Sequence, residues 1–402
     1  MTAALERRKL ISLAAGFTDN ESLPLDETRQ LLKQILSADN SGRPALQYGS
    51  TAGDDVLRRL TAGHLRSRDG SAKNPTAYPV ERTLITNGSQ QMLYIATETL
   101  CDPGDLVLVE DPTYFVYLGI LQSHGVKARG IRMTENGIDL DHLEQVLERL
   151  KRNGQIRRLK LLYLVSYYQN PTGITTSFDT KSKALKLLKR YETAAGHPLY
   201  LLEDGAYREL RFRGADVPSA LAVAGRNSRV IYAGTYSKPF ATGTRVGFGI
   251  LPEPLFTAAV RIKGNHDFGT SNLLQQLLAN ALKSGLYEKH LVQLQKRYEQ
   301  KAEVLGKALQ AHFPPAVQWM WPNGGLYYWA RVPEKLATGQ NSKFFKKALN
   351  NHVLYVPGEL CYCDDPTRKK PNHEMRISFG AASLPNLTKG IARLGAVLTN
   401  FL

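Results

Sequence analysis

Apolar and polar positions alternate on two scales along this chain. Between residues 45 and 290, short apolar runs of strand length occur at 83–86, 106–109, 160–165, 199–203, 230–233 and 247–251, and longer stretches of helical periodicity separate many of them. Strands that take turns with helices predict a mostly parallel sheet covered on both faces, because each crossover lays a helix over the sheet. Such sheets hold their ligands at the carboxyl ends of the strands. Ahead of this region, the first 40 residues hold an irregular arm and then a helical pattern around Leu31, Leu32, Ile35 and Leu36. Behind it, a long helical stretch at 273–312 precedes Pro322-Asn323-Gly324-Gly325 and a strand-like run at 326–332, with short strands expected at 353–356 and 375–379. The expectation is an α/β protein with an arm and helix at 1–44, a large domain at 45–290 and a smaller α/β domain at 291–402 that includes the N-terminal segment. No internal repeat breaks this plan, and no linker is long enough to separate independent modules.

Composition narrows the class. At 402 residues the chain is too long for one small core, and with 43% hydrophobic and 22% charged residues it reads as an ordinary globular protein. No apolar run approaches the roughly 20 residues needed to span a membrane. A basic cluster, Arg7, Arg8 and Lys9, precedes a short apolar stretch in the manner of an export signal, but Thr18-Asp19-Asn20-Glu21 follows at once and no small-residue cleavage site is clear. A cytoplasmic location is therefore expected. The three cysteines, Cys101, Cys361 and Cys363, make an odd count and lack a second Cys/His pair at zinc spacing, so unpaired thiols and no metal site are expected.

The excess of 52 Lys and Arg over 36 Asp and Glu leaves +16, a sign that suits a nucleic-acid partner. The charge is spread out, however. Lys181, Lys183, Lys186, Lys189 and Arg190 share a segment with Leu185, Leu187 and Leu188, and Arg157, Arg158 and Lys160 end a similar stretch. Solvated faces of amphipathic helices account for such runs, and no nucleic-acid partner is expected.

The residues with chemistry stand just after the strands. Asp204 follows the run at 199–203, and Tyr207 comes three residues later. Gly234-Thr235-Tyr236-Ser237-Lys238 follows the next strand and leads to Gly243-Thr244-Arg245-Val246-Gly247. Gln169-Asn170-Pro171-Thr172-Gly173 follows the strand at 160–165. Taken singly, each has an ordinary explanation: the aspartate as a cap, Asn-Pro-Thr-Gly as a turn, the lysine as a solvated side chain.

Together, and in this order, they resemble the class I/II branch of the fold-type-I aminotransferases. Tyr48-Gly49 and Gly53, Thr86-Asn87-Gly88-Ser89-Gln90-Gln91, Asp102-Pro103-Gly104-Asp105, Glu110-Asp111-Pro112-Thr113-Tyr114 and Met375-Arg376-Ile377-Ser378-Phe379 extend the likeness from about Ile11 to the C-terminus. Gly88-Ser89-Gln90-Gln91 and the segment Glu203-Asp204-Gly205-Ala206-Tyr207-Arg208-Glu209-Leu210 look most like the branch of 2-aminoadipate aminotransferases and of the aminotransferase-like domains of certain bacterial regulators. The resemblance implies a large domain with a mostly parallel seven-stranded sheet sandwiched by helices, and pyridoxal 5′-phosphate as cofactor. It further implies a homodimer with shared active sites.

It also implies roles. Lys238 would hold the cofactor as a Schiff base and, once released, move the proton during transfer of an amino group between an L-amino acid and a 2-oxo acid. Asp204 would keep the pyridine nitrogen protonated, Asn170 and Tyr207 would bind the ring hydroxyl oxygen, and Tyr114 would stack on the ring. Ser89 and Gln90 at a helix start, with Ser237, Arg245 and Tyr48 of the neighbouring subunit, would bind the phosphate. Arg376, with Gly16 and Asn170, would receive the substrate carboxylate. The family often has Pro-Gly where this chain has Thr242-Gly243, and Pro239 after Lys238 is unusual, so a locally altered loop is expected. A decarboxylase or a β- or γ-lyase would use the same residues, because the protein only selects which bond the cofactor breaks. A DNA-binding regulator would need a winged-helix module ahead of the pattern, and none is expected before Ile11.

Overall fold

The computed structural model describes residues 10–37, 39–70, 75–224 and 229–402, so the Arg7 to Lys9 cluster lies outside the described residues. Fourteen strands occur among them: β1 Ile11–Ser12, β2 Thr83–Thr86, β3 Leu106–Asp111, β4 Lys127–Thr134, β5 Gly137–Ile138, β6 Leu159–Val165, β7 Tyr200–Asp204, β8 Val230–Thr235, β9 Gly247–Ile250, β10 Gln318–Trp319, β11 Tyr327–Arg331, β12 Val353–Leu354, β13 Val356–Pro357 and β14 Glu374–Ser378. The large sheet has the order β2-β9-β8-β7-β6-β3-β4-β5. Its seven long strands match the expected number, and β5 adds a two-residue antiparallel extension to β4. The pairings β8-β7-β6-β3-β4 are parallel, while β9 runs antiparallel to both β8 and β2, so β2 again points the same way as β8.

Residues of β2, β7, β8 and β9 are all buried, which is why they read as continuous apolar runs. The strand absent from those runs is β4. It carries Lys127, Arg129 and Arg132 and is buried only in part, because it lies near the sheet edge. A second, antiparallel sheet has the order β10-β11-β14-β13. The run at 353–356 splits between two sheets: β12 pairs in parallel with β1 of the arm, and β13 pairs with β14. The helical stretch at 273–312 is two helices, Asn272–Lys283 and Leu286–His312, separated where Gly285 takes φ 73°. The second of these runs unbroken across the 290/291 boundary.

One expectation from the charge pattern is overturned. Lys183, Lys186, Lys189 and Arg190 are exposed on helix Phe178–Ala195, but Lys181 is fully buried. Its Nζ lies 2.8 Å from the Glu203 carboxylate and 4.1 Å from the centroid of the Tyr167 ring, and it donates to the Pro218 carbonyl at 3.1 Å. Lys181 sits on the helix face turned to the sheet, and Glu203 on β7 compensates its charge. Arg157 and Arg158 belong to a 3-10 turn, Gln155–Arg158, and Lys160 to β6.

Removing one partner of a buried ion pair leaves the other charge stranded. Lys181→Met is expected to cost about 3–5 kcal/mol in urea denaturation. Lys181→Met with Glu203→Gln should recover more than half of that loss.

Candidate active site

Because β2, β3, β6, β7 and β8 share one direction, their carboxyl ends bring distant parts of the chain to one place. Helix Gly88–Leu100 starts there after β2, Tyr114 stands between β3 and helix Phe115–Ser123, and Asp204 is the last residue of β7. Ser89, Gln90, Tyr114, Asp204, Tyr207, Ser237, Lys238 and Arg245 line a single pocket of about 110 Å³, together with Gly88, Val165, Ala206 and Thr235.

Lys238 Nζ donates to the Gly16 carbonyl at 2.7 Å. Burial, reinforced by the positive charges of Arg245 and Arg376, pulls its pKa down from 10.5 to about 8. Roughly a tenth is thus neutral and nucleophilic at pH 7, far more than for an ordinary lysine. Asp204 is buried and accepts from the Tyr163 hydroxyl at 2.9 Å and the Ala206 amide at 2.9 Å. Burial outweighs these bonds and pushes its pKa up to about 6.

At the opposite end of the pocket the helix at Gly88 presents its unpaired amides. Gly247 has to be glycine here, since a Cβ would come within 2.4 Å of the Gly88 carbonyl carbon and 2.5 Å of the Ser89 nitrogen. Arg245 takes the left-handed backbone, φ 49°, after a 3-10 turn at Thr242–Thr244, and extends Nη1 to 3.5 Å from Ser237 Oγ. A left-handed arginine is strained, and such strain collects at functional sites.

Beside this pocket, four residues form a closed circuit: two from strands β11 and β14 and two from the turns after β6 and β7. Arg376 on β14 donates from Nη1 to Asn170 Oδ1 at 2.6 Å, and Asn170 Nδ2 lies 3.4 Å from the Tyr207 hydroxyl. The Tyr207 and Tyr327 hydroxyls are 3.0 Å apart, and the Arg376 guanidinium lies 4.3 Å from the Tyr327 ring centroid. Arg376 Nη2 donates to the Ala14 carbonyl at 2.6 Å, leaving Nε buried without a partner. Gln169 braces this corner, donating at 2.6 Å to the buried Glu110 carboxyl, which also accepts from the Val165 amide at 2.9 Å.

Gly16, Asn170 and Arg376 do not line the pocket that holds the other candidates but adjoin it, Gly16 bonded to Lys238, Asn170 to Tyr207, and Arg376 to Asn170. Tyr48 is elsewhere: it is 81% exposed, its ring against Phe268 with centroids 5.3 Å apart. Two participants escaped the reading of the sequence. Tyr163 carried a weak signal, a hydroxyl inside a buried apolar strand that must find a partner. Tyr327 was hidden by its neighbour Tyr328, which alternation sends to the other face of β11, where its hydroxyl meets the Ala302 carbonyl.

These groups fit pyridoxal phosphate. Asp204 is a buried carboxylate with no cationic partner among the described residues, so a protonated ring nitrogen is the complement it lacks. The helix start with Arg245 suits a dianionic phosphate, and the orphaned Arg376 Nε suits a carboxylate.

The family model for aminotransferase class I and II matches residues 8–394. The chain belongs to that family. It is 33% identical to an uncharacterized aminotransferase of Saccharolobus solfataricus, over 97% of this chain and 92% of that protein. An aromatic-amino-acid aminotransferase of Thermococcus litoralis is 30% identical, over 98% of this chain and 89% of its own length. The crystal structure of an alpha-aminoadipate aminotransferase from Thermus thermophilus, complexed with N-(5′-phosphopyridoxyl)-L-leucine, superposes with a TM-score of 0.84 at 29% identity, covering 100% of this chain and 95% of that one. The protein is a pyridoxal-phosphate-dependent transaminase of fold type I, and none of these matches is a decarboxylase or a lyase. Among the described residues no helix of this aminotransferase is long and apolar enough to cross a membrane, no group of side chains could hold a metal ion, and the three cysteines are free and buried.

The raised pKa of Asp204 sets a pH signature for the cofactor-free aminotransferase. The folded state binds this proton more tightly than the unfolded chain, so the penalty is absent below pH 3.8 and complete above about pH 6. Relative to wild type, cofactor-free Asp204→Asn should gain up to about 3 kcal/mol between pH 4 and pH 7 in urea denaturation. Its turnover with cofactor should fall by a hundredfold or more.

Proposed function

We propose that this transaminase carries its cofactor on Lys238 and takes amino acids with neutral side chains as donors and 2-oxoglutarate as the common acceptor. The observation that carries the reading is one pocket joining an amine with a pKa near 8 to a buried carboxylate without a cation. Bound pyridoxal phosphate supplies an electron-accepting ring and an aldehyde that condenses with amines. Asp204 keeps a proton on the ring nitrogen, Asn170 and Tyr207 bind the ring hydroxyl oxygen, and Tyr114 covers the ring face. Ser89, Gln90, Ser237 and Arg245 hold the phosphate. Arg376, with Gly16 and Asn170, orients the substrate carboxylate, and the neutral Lys238 Nζ takes the proton from the substrate Cα.

The proposed donor range rests on the arm at Gly16-Phe17-Thr18 and on Tyr114, a neutral and partly aromatic wall, with Phe17 55% exposed. Apolar side chains buried there contribute roughly 25 cal/mol per Å². The leucine adduct in the solved relative supports this choice. The active unit is a cytoplasmic homodimer in which Tyr48 reaches the partner's phosphate site, a role that suits a tyrosine so exposed on its own protomer. The three-part division of the chain belongs to the same reading.

Borohydride reduction of the holoenzyme and peptide mapping should place the pyridoxyl label on Lys238, in a protein whose mass by light scattering is that of a dimer. A label on another lysine overturns the assignment, and a monomer overturns the shared site. In single-turnover half-reactions across a panel of donors, leucine, methionine and the aromatic amino acids should react fastest. A preference for acidic or cationic donors with these inert would show that the wall has another chemistry.

A further inference from the structure

The N-terminal arm touches both cations at the substrate end of the site. Its Ala14 carbonyl accepts from Arg376 at 2.6 Å, and its Gly16 carbonyl accepts from Lys238 at 2.7 Å. The arm is pinned before this stretch, where the Ser378 amide donates to the Leu13 carbonyl at 2.7 Å. It is pinned again at Asp19, and the pin is an unusual one. Lys301, on helix Leu286–His312, is fully buried, and its Nζ donates to Asp19 Oδ1 at 2.7 Å and to the Gly380 carbonyl at 2.6 Å. Gly380 lies just beyond β14, the strand that bears Arg376, and a Cβ there would come within 2.3 Å of the Phe17 carbonyl oxygen. Asp19 Oδ2 also accepts from Arg297 at 2.9 Å and from Ser22 at 2.8 Å, and the Asp19 amide donates to the Tyr298 hydroxyl at 3.2 Å.

A buried ammonium is costly unless each donor is used, so its partners are the segments whose relative position it most strongly holds. For Lys301 those are the arm and the end of the Arg376 strand. The geometry points to Lys301 as a positioning residue for substrate binding: by tying Asp19 to the Gly380 carbonyl, it fixes the arm carbonyls against Arg376 and Lys238. A guanidinium held in place before the carboxylate arrives spends less binding energy on ordering. The inference rests on the reading of Arg376 as the carboxylate site.

The test compares wild type, Lys301→Met, Asp19→Asn and Arg376→Lys as holoenzymes. The probe is 3-phenylpropanoate, an unreactive carboxylate, with its Kd taken from the change in cofactor absorbance. Lys301→Met should weaken the probe by tenfold or more and raise KM for amino donors with kcat within about threefold. Pyridoxal phosphate affinity should stay within threefold of wild type, and amide exchange over residues 14–19 should accelerate. Asp19→Asn, which leaves Lys301 its Gly380 partner, should weaken the probe about threefold, and it decides the matter if Lys301→Met does not fold. A folded Lys301→Met with lowered Tm but wild-type probe affinity overturns the inference and leaves Lys301 a stabilising residue only. Arg376→Lys separates the two failures: a weakened probe there leaves the carboxylate reading standing, and an unchanged probe means that reading has failed as well.

Discussion

A carboxylate at the end of a buried parallel strand has to be stabilised by something, and among the described residues Asp204 accepts only two hydrogen bonds. Tyr163 and the Ala206 amide hold its oxygens, yet burial still lifts its pKa to about 6. This incomplete solvation is the constraint on which the site depends, because it leaves room for a cationic ring nitrogen and for little else. The sheet enforces the burial. β7 lies between β6 and β8, with every residue buried, so Asp204 cannot turn to water. A buried carboxylate of this kind makes the empty pocket less stable and favours a cationic partner.

The same sheet direction gathers the rest. β2, β3, β6 and β8 end at the same edge of the sheet as β7, and each delivers residues to the pocket from its last position or from the turn that follows. The two ends of the pocket are built differently. The end at Gly88 is built from the start of a helix and from Arg245 in a strained left-handed conformation, both fixed by local geometry. The other end is the circuit of Arg376, Asn170, Tyr207 and Tyr327, whose members come from two strands of the smaller sheet and from turns after β6 and β7 of the large one, as far as 206 residues apart. A circuit of that kind orients each donor through its neighbours, so its groups are in place before a ligand enters.

Charge follows a similar division between surface and interior. The excess of positive residues sits largely on exposed helix faces, but Lys181 and Lys301 are fully buried in ion pairs with Glu203 and Asp19. One pair holds a helix to the sheet behind Asp204. The other holds the arm to helix Leu286–His312. Neither carries a distinctive local pattern, because their partners stand 22 and 282 residues away, unlike the buried Lys263, whose partner Asp267 is four residues on.

Much was legible in the residues themselves. Period and run length identified six of the seven long strands, because a strand buried on both faces must be apolar throughout. The motifs around Asn170, Asp204, Lys238, Arg245 and Arg376 were readable only together, in an order that resembles the aminotransferases; Asn170, Asp204 and Lys238 stand at or after strand ends, whereas Arg376 lies within β14. The edge strand β4 escaped, since a half-exposed strand can carry lysine and arginine. What the sequence by itself determined is therefore the local part: which segments are strands and which side chains end them. Tertiary structure alone decided that Tyr327 rather than Tyr328 faces the site, that Lys181 is inside, and that Gly16 and Ala14 lend their carbonyls to Lys238 and Arg376. Each of these depends on which face of an element meets which distant backbone, and a backbone carbonyl leaves no mark in the order of side chains.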